Sequence, residues 1–229
     1  MPTISSASAN DVRIAAAECP EEWDPGESNA RSRTMRQLAL FASAAHPTVL
    51  IGDRGDVRYI PGFLDRAAAA ELFSELQRST TWRADSRMMY GRRVLVPRET
   101  AARGDGCPQT WSPALLRTRS AIEAYLKMAF DYVFINRYRN GNDSVAWHHD
   151  DDAHEVPQRV IASLSLGATR TFELRPLRAS GLNHQKISVD LADGDLIVMR
   201  GATQRNYEHR IPKEPRIAGE RINLTFRQH

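Results

Sequence analysis

At 229 residues the chain has room for one domain with a substantial core, and no apolar run reaches the roughly 20 residues that a membrane span requires. Two cysteines far apart, Cys19 and Cys107, exclude a disulfide framework and a zinc ribbon; with a polar start from Met1 to Ala17 they point to an intracellular monomer, cytoplasmic in a bacterium or nuclear in a eukaryote. The net charge of +3 averages an acidic start (Asp11, Glu18, Glu21, Glu22, Asp24, Glu27) against two basic stretches further on.

Residues 1–56 read as an N-terminal extension, partly disordered at its start, where acids, Pro, Ser and Gly outweigh apolar side chains. Residues 57–131 read as helices around a hairpin. Asp65 is the predicted N-cap of a first helix that runs to about Arg78 with Leu72, Phe73 and Leu76 on one face. Arg87 to Val96 predicts a hairpin turning near Gly91. Around it, residues 83–103 hold six arginines (Arg83, Arg87, Arg92, Arg93, Arg98, Arg103) against Asp85 and Glu99. A second helix opens with Ser112 as N-cap and Pro113 at its first position, and runs to about Ala129.

From Tyr132 onward, residues 132–229 change to short strands: Tyr132 to Tyr138, Val160 to Leu166, Thr171 to Leu174, Lys186 to Leu191, Asp195 to Arg200 and Arg221 to Arg227. Turn signals such as Asn140-Gly141-Asn142-Asp143 and Asp193-Gly194-Asp195 separate them. This order predicts a mainly β fold with flanking helices, α+β in class, built on a jelly-roll core. Residues 200–229 form the second basic stretch, with six arginines and Lys213 against Glu208, Glu214 and Glu220. Two such patches suit a polyanion such as nucleic acid, with an ordinary solvated surface as the plain alternative.

Chemistry concentrates in two places. Trp147-His148-His149-Asp150-Asp151-Asp152 offers imidazoles and carboxylates, and Tyr207-Glu208-His209-Arg210 adds a further histidine in a strand-like segment. Two histidines and one carboxylate make a facial triad that leaves coordination positions open on Fe(II). Alternate residues of an extended segment share a face, so His148 with Asp150 is one register and His149 with Asp151 is another; spacing alone does not separate them. The second place is Arg221-Ile222-Asn223-Leu224-Thr225-Phe226-Arg227, which alternates for seven residues. Ile222, Leu224 and Phe226 would face a core, and Arg221, Asn223, Thr225 and Arg227 would form a hydrogen-bonding ladder suited to a carboxylate. The two arginines lie roughly 20 Å apart along an extended chain and so would take different tasks, one forking a distal carboxylate and the other bracing the metal end. In Tyr132 to Tyr138, Asn136 and Tyr138 share a face and are candidates for the same anion.

Taken together, Asn136-x-Tyr138, Trp147-His148-x-Asp150-Asp151, His209 and Arg221-x-Asn223-x-Thr225-x-Arg227 resemble the AlkB-type alkylation-repair dioxygenases, over about residues 57–229. The resemblance implies a double-stranded β-helix, Fe(II) on His148, Asp150 and His209, and 2-oxoglutarate among Asn136, Tyr138, Arg221, Asn223, Thr225 and Arg227, with O2 as second co-substrate. It also implies the reaction: oxidative demethylation of bases such as 1-methyladenine and 3-methylcytosine in DNA, with release of formaldehyde from a base flipped into the pocket. Asp152 sits where the family often has an acid near that base. The hairpin Met88-Met89-Tyr90-Gly91-Arg92-Arg93, with Pro97-Arg98, resembles the family's substrate grip, and Tyr90 matches a wedge position at the tip. The aromatic doublet that usually lines the pocket is missing, and Trp111 is the candidate substitute. Two other functions fit the same residues: this chemistry on RNA or nucleosides, and a metal-binding module that holds nucleic acid without turnover.

Overall fold

The computed structural model describes residues 12–13, 46–89, 91–104, 106–107, 109–150, 160–183 and 185–228. In chain order these form β1 (Val12–Arg13), β2 (Thr48–Ile51), β3 (Asp56–Ile60), helix α1 (Arg66–Ser79), β4 (Arg83–Met89), β5 (Arg92–Arg103) and helix α2 (Pro113–Leu126). The second half holds β6 (Tyr132–Tyr138), β7 (Val145–His148), β8 (Ile161–Gly167), β9 (Arg170–Pro176), β10 (Ile187–Leu191), β11 (Leu196–Arg200), the single turn α3 (Thr203–Asn206), β12 (Tyr207–Ile211) and β13 (Arg221–Arg227).

The helices begin where their caps require. Asp65 accepts the Ala68 N–H at 2.8 Å, which satisfies one of the donors a helix start leaves open. Pro113 opens α2, but Ser112 makes no side-chain cap bond; its hydroxyl binds Glu75 of α1 instead and ties the two helices together. The second helix ends at Leu126 rather than at the expected Ala129, because Lys127 turns left-handed (φ 54) and returns its N–H to Glu123 O.

Among the described residues the strands make two sheets. One has eight strands in the order β2-β3-β11-β8-β13-β6-β5-β4, and the other has five in the order β1-β10-β9-β12-β7. Except for the parallel pair of β1 with β10, every pairing is antiparallel. Apart from β1, the strands of the smaller sheet all come from residues 145–211 and interleave in sequence with those of the larger, as a jelly roll requires. The edge strand β2 and the start of β3 lie within residues 1–56, and β3 to β5 belong to the same sheet as β6. The acidic start, Tyr90 and Asp152 fall outside the described residues.

Two cores follow from this layering. Leu72, Leu76, Leu115 and Ile122 of the helices pack on Ile135, Leu164, Ile222, Leu224 and Phe226 of the large sheet. Tyr138, Ile161, Ile197 and Met199 of the large sheet meet Phe172, Leu174, Tyr207 and Ile211 of the small one. Strand β13 is central, between β6 and β8, and six of its seven residues are buried. Its alternation thus separates an apolar, helix-facing side from a polar side enclosed between the sheets, and neither side faces water. No helix among the described residues is long and apolar enough to cross a membrane.

Candidate active site

The small sheet brings the two histidines together by register. In the antiparallel pair of β12 and β7, His209 lies directly opposite His148, and their ring centroids are 4.3 Å apart. Asp150 follows two residues after His148, past the end of the strand, and keeps to the same face. One ligand atom from each of His148, Asp150 and His209 lies within 4.8 Å of the others, and no other such group occurs among the described residues. His149 is not part of it, and Asp151 lies outside the described residues.

The state of these side chains suits a metal. His148 Nδ1 is 2.9 Å from the carbonyl of Ala146, which can only accept, and Nε2 lies 3.9 Å from Asp150 Oδ1. Burial pushes the His209 imidazole down to about 4, which keeps it neutral, the form that binds a cation, at physiological pH. Asp150 is held below the ordinary carboxylate range: burial alone would raise it, but His209, Arg227 and His148 outweigh that effect. Arg227 Nη2 contacts Asp150 Oδ1 at 3.0 Å, an ion pair that bridges the two sheets.

Deeper along β13 the polar face changes character. Arg221 is 1% exposed, and burial pushes its guanidinium down to about 10, still a cation at neutral pH. Its Nη2 donates to Ser165 Oγ at 2.8 Å and the Tyr138 side chain is a further hydrogen-bond partner of the guanidinium, while Nε and Nη1 face no acceptor in good hydrogen-bond geometry among the described residues. Buried donors without partners are costly, and a guanidinium edge left open in this way fits a carboxylate. Tyr138, opposite Arg221 in the ladder, lies under that guanidinium at 5.2 Å. Asn136 is buried on the Tyr138 face of β6, and its Oδ1, an acceptor, has no partner among the described residues. Thr225 is buried on the same face. The Asn223 amide donates to Ser163 Oγ and Leu164 O, both at 2.9 Å, and so braces β13 against β8.

The proposed nucleic-acid contacts divide differently. Arg92 and Arg93 lie at the start of β5 and Arg98 further along it, where the buried Nε of Arg98 has no partner among the described residues. Trp111 is not brought to the triad. It stacks on Phe226, centroids 6.5 Å apart, with Arg119 4.6 Å above it, on the helix side of the large sheet and away from the metal ligands.

Two functional neighbours were not visible in the sequence. Arg170, fully buried, donates to Glu214 Oε2 at 2.9 Å and to the carbonyls of Asn140, Asp143 and Pro212, and its guanidinium covers Tyr138 from 5.7 Å. Gln204 in α3 accepts the Asp150 N–H at 3.0 Å. Both stand in polar, turn-like sequence, where only the distant partners reveal burial.

Comparison with known proteins agrees with this geometry. The family described as the 2OG-Fe(II) oxygenase superfamily matches residues 56–227. The cattle protein named alpha-ketoglutarate-dependent dioxygenase alkB homolog 3 is 37% identical over 183 residues, 73% of this chain and 64% of that protein. The chain thus spans a little under two thirds of the length of that relative and of the human one. The mouse protein named DNA oxidative demethylase ALKBH2 is 30% identical over 229 residues, covering 92% of this chain and 90% of that protein. Among solved structures, one described as the structure of OsALKBH1 superposes with a TM-score of 0.57 at 18% identity, over 80% of this chain and all of that one, which supports the fold. With its triad assembled on one sheet and matched over residues 56–227, the chain belongs to the 2OG-Fe(II) oxygenase superfamily and, within it, to the AlkB-type family.

Proposed function

We propose that the protein is an Fe(II)- and 2-oxoglutarate-dependent demethylase that restores N-alkylated bases of the 1-methyladenine and 3-methylcytosine type in DNA. The observation that carries this is the pairing of an assembled His148, Asp150 and His209 cluster with the buried, half-unsatisfied Arg221 in one enclosure. The family supplies the cofactors, and the relatives named as DNA oxidative demethylases supply the substrate class.

His148 through Nε2, Asp150 and His209 would hold the metal, leaving one side of it open. Arg221 would take the distal carboxylate of 2-oxoglutarate with its free guanidinium edge, assisted by Tyr138 and Asn136, while Arg227 orients Asp150. The bound iron would supply oxidation: O2 and 2-oxoglutarate give succinate and CO2, and the N-methyl group gains one oxygen and leaves as formaldehyde. Asp150 and His209 are largely buried whereas the His148 side chain is 36% exposed, so the low-dielectric surroundings strengthen the charge contacts of the first two.

A base methylated on its pairing edge must leave the duplex to reach this enclosure. The hairpin of β4 and β5 forms the edge of the large sheet and carries Arg92, Arg93 and Arg98 for phosphate contact, and it exposes Met88 and Leu95. Tyr90, which precedes Gly91 in sequence, is proposed to fill the vacated stack, and Asp152, two residues after Asp150 in sequence, to select the base. The test is an assay of formaldehyde and succinate on methylated oligonucleotides of both sugar types. Turnover on methylated DNA in step with succinate is the expected result. Turnover on RNA alone would move the substrate, and metal and nucleic-acid binding without either product would reduce the protein to a binding module.

A further inference from the structure

We infer that Gln204 is the positioning residue for the carboxylate ligand and acts on Asp150 through its main chain; this rests on the proposed metal role of His148, Asp150 and His209. Strand β7 ends at His148, so no ladder bond holds residue 150. Two contacts take its place. Arg227 fixes the carboxylate, and Gln204 Oε1 accepts the Asp150 N–H at 3.0 Å from 54 residues away in sequence. With both the side chain and the main chain of Asp150 tied, the carboxylate has a defined direction before any metal arrives.

The mount of Gln204 is itself rigid. It is 5% exposed, and its Nε2 donates to the buried Met199 Sδ at 3.4 Å. Its neighbour Thr203 donates to Arg200 O at 2.5 Å and accepts the Asp56 N–H at 3.0 Å, which ties α3 to β11 and β3. The same turn runs directly into β12, whose third residue is His209. One short turn therefore sets the start of the strand that carries one ligand and holds the backbone of another. Packing alone does not account for a glutamine here. A side-chain amide in an apolar site is costly unless its groups are used, and a methionine would fill the space beside Met199 without that cost.

The test compares variants of the metal-free full chain by Mn(II) titration, melting temperature and amide hydrogen exchange at Asp150. Gln204→Met keeps the volume and loses the acceptor; it should weaken Mn(II) binding about tenfold or more, speed exchange at Asp150, and melt within a few degrees of the parent. Gln204→Glu keeps an acceptor oxygen and should restore slow exchange. Should the methionine variant fail to fold, Gln204→Asn, too short to reach, replaces it. Parental Mn(II) affinity and exchange in the acceptor-free variant would overturn the inference, as would equally fast exchange in both variants with a lowered melting point, the sign of a packing role. His209→Ala is the separate control: if it binds Mn(II) like the parent, the metal assignment itself fails, whatever Gln204 does.

Discussion

Arg221 and Arg227 have the same side chain on the same face of one strand, and their surroundings differ. Arg227 spends Nη2 on Asp150 across the sheets, whereas Arg221 is almost fully buried and keeps two nitrogens open. Their separation along the strand suggests two tasks without saying which arginine would take which. That depended on where the loop after β7 places Asp150. The two substitutions should therefore separate. Arg221→Met is expected to raise the 2-oxoglutarate requirement about a hundredfold, while Mn(II) affinity measured without co-substrate stays within about threefold, since charge-assisted contacts to a carboxylate are worth about 3 kcal/mol. Arg227→Met should instead weaken Mn(II) about tenfold or more, as loss of a partner that orients a ligand does. Mn(II) titrations and co-substrate titrations on both variants check this; the reverse pattern would exchange the two roles.

At the scale of elements, the turn at residues 139–144 is fixed by its docking on residues 214–217. Gly141 donates to Ile217 O and accepts from Glu214 N, both at 2.7 Å, and a Cβ there would run into the Glu214 carbonyl. Gly141→Ala is thus expected to cost about 2 to 3 kcal/mol by overpacking, seen as a lower denaturant midpoint with an unchanged slope. In the same turn Asp143 is held below the ordinary carboxylate range: burial raises it, but the hydrogen bonds and charge of Arg139 outweigh that. Because the folded form resists protonation more than the unfolded chain, this contribution is present above about pH 4 and is lost as the pH falls through the folded value. Asp143→Asn should flatten the fall in stability below about pH 4, and an unchanged acid limb would show that other carboxylates control it. This turn could be read from Asn140-Gly141-Asn142-Asp143, but its docking could not. More generally, α1, β6 and β13 were legible: an N-cap marks α1, a seven-residue run rich in aromatic and β-branched side chains marks β6, and alternation marks β13. The edge strand β2, four residues of Thr-Val-Leu-Ile, has no alternation to reveal it, and α3 is a single turn that packing imposes. Arg170 stayed hidden for a related reason: carbonyls from three distant positions hold it.

For the whole molecule the important fact is that the site belongs to neither sheet. His148 and His209 come from the five-stranded sheet, Arg221, Arg227, Asn136 and Tyr138 from the eight-stranded one, and the Arg227 to Asp150 ion pair crosses between them. Ligands bound here would contact both sheets, so they should oppose separation of the layers and not only local fraying. Each ligand at a hundredfold excess over its dissociation constant adds about 2.7 kcal/mol to the folded state. For a domain of this size about 1 kcal/mol moves the melting point by roughly 2 to 4 °C, so Mn(II) alone should raise it by about 5 to 10 °C and 2-oxoglutarate should add a similar step. Hydrogen exchange distinguishes coupling from local tightening. If the site joins the layers, β6 and β13 should gain protection together with β7 and β12 when both ligands are present, and His209→Ala should lose the metal step in both sheets at once. Protection confined to β7 and β12, or no thermal shift at saturating Mn(II) and 2-oxoglutarate, would show that the two halves of the site are not joined by the ligands placed between them.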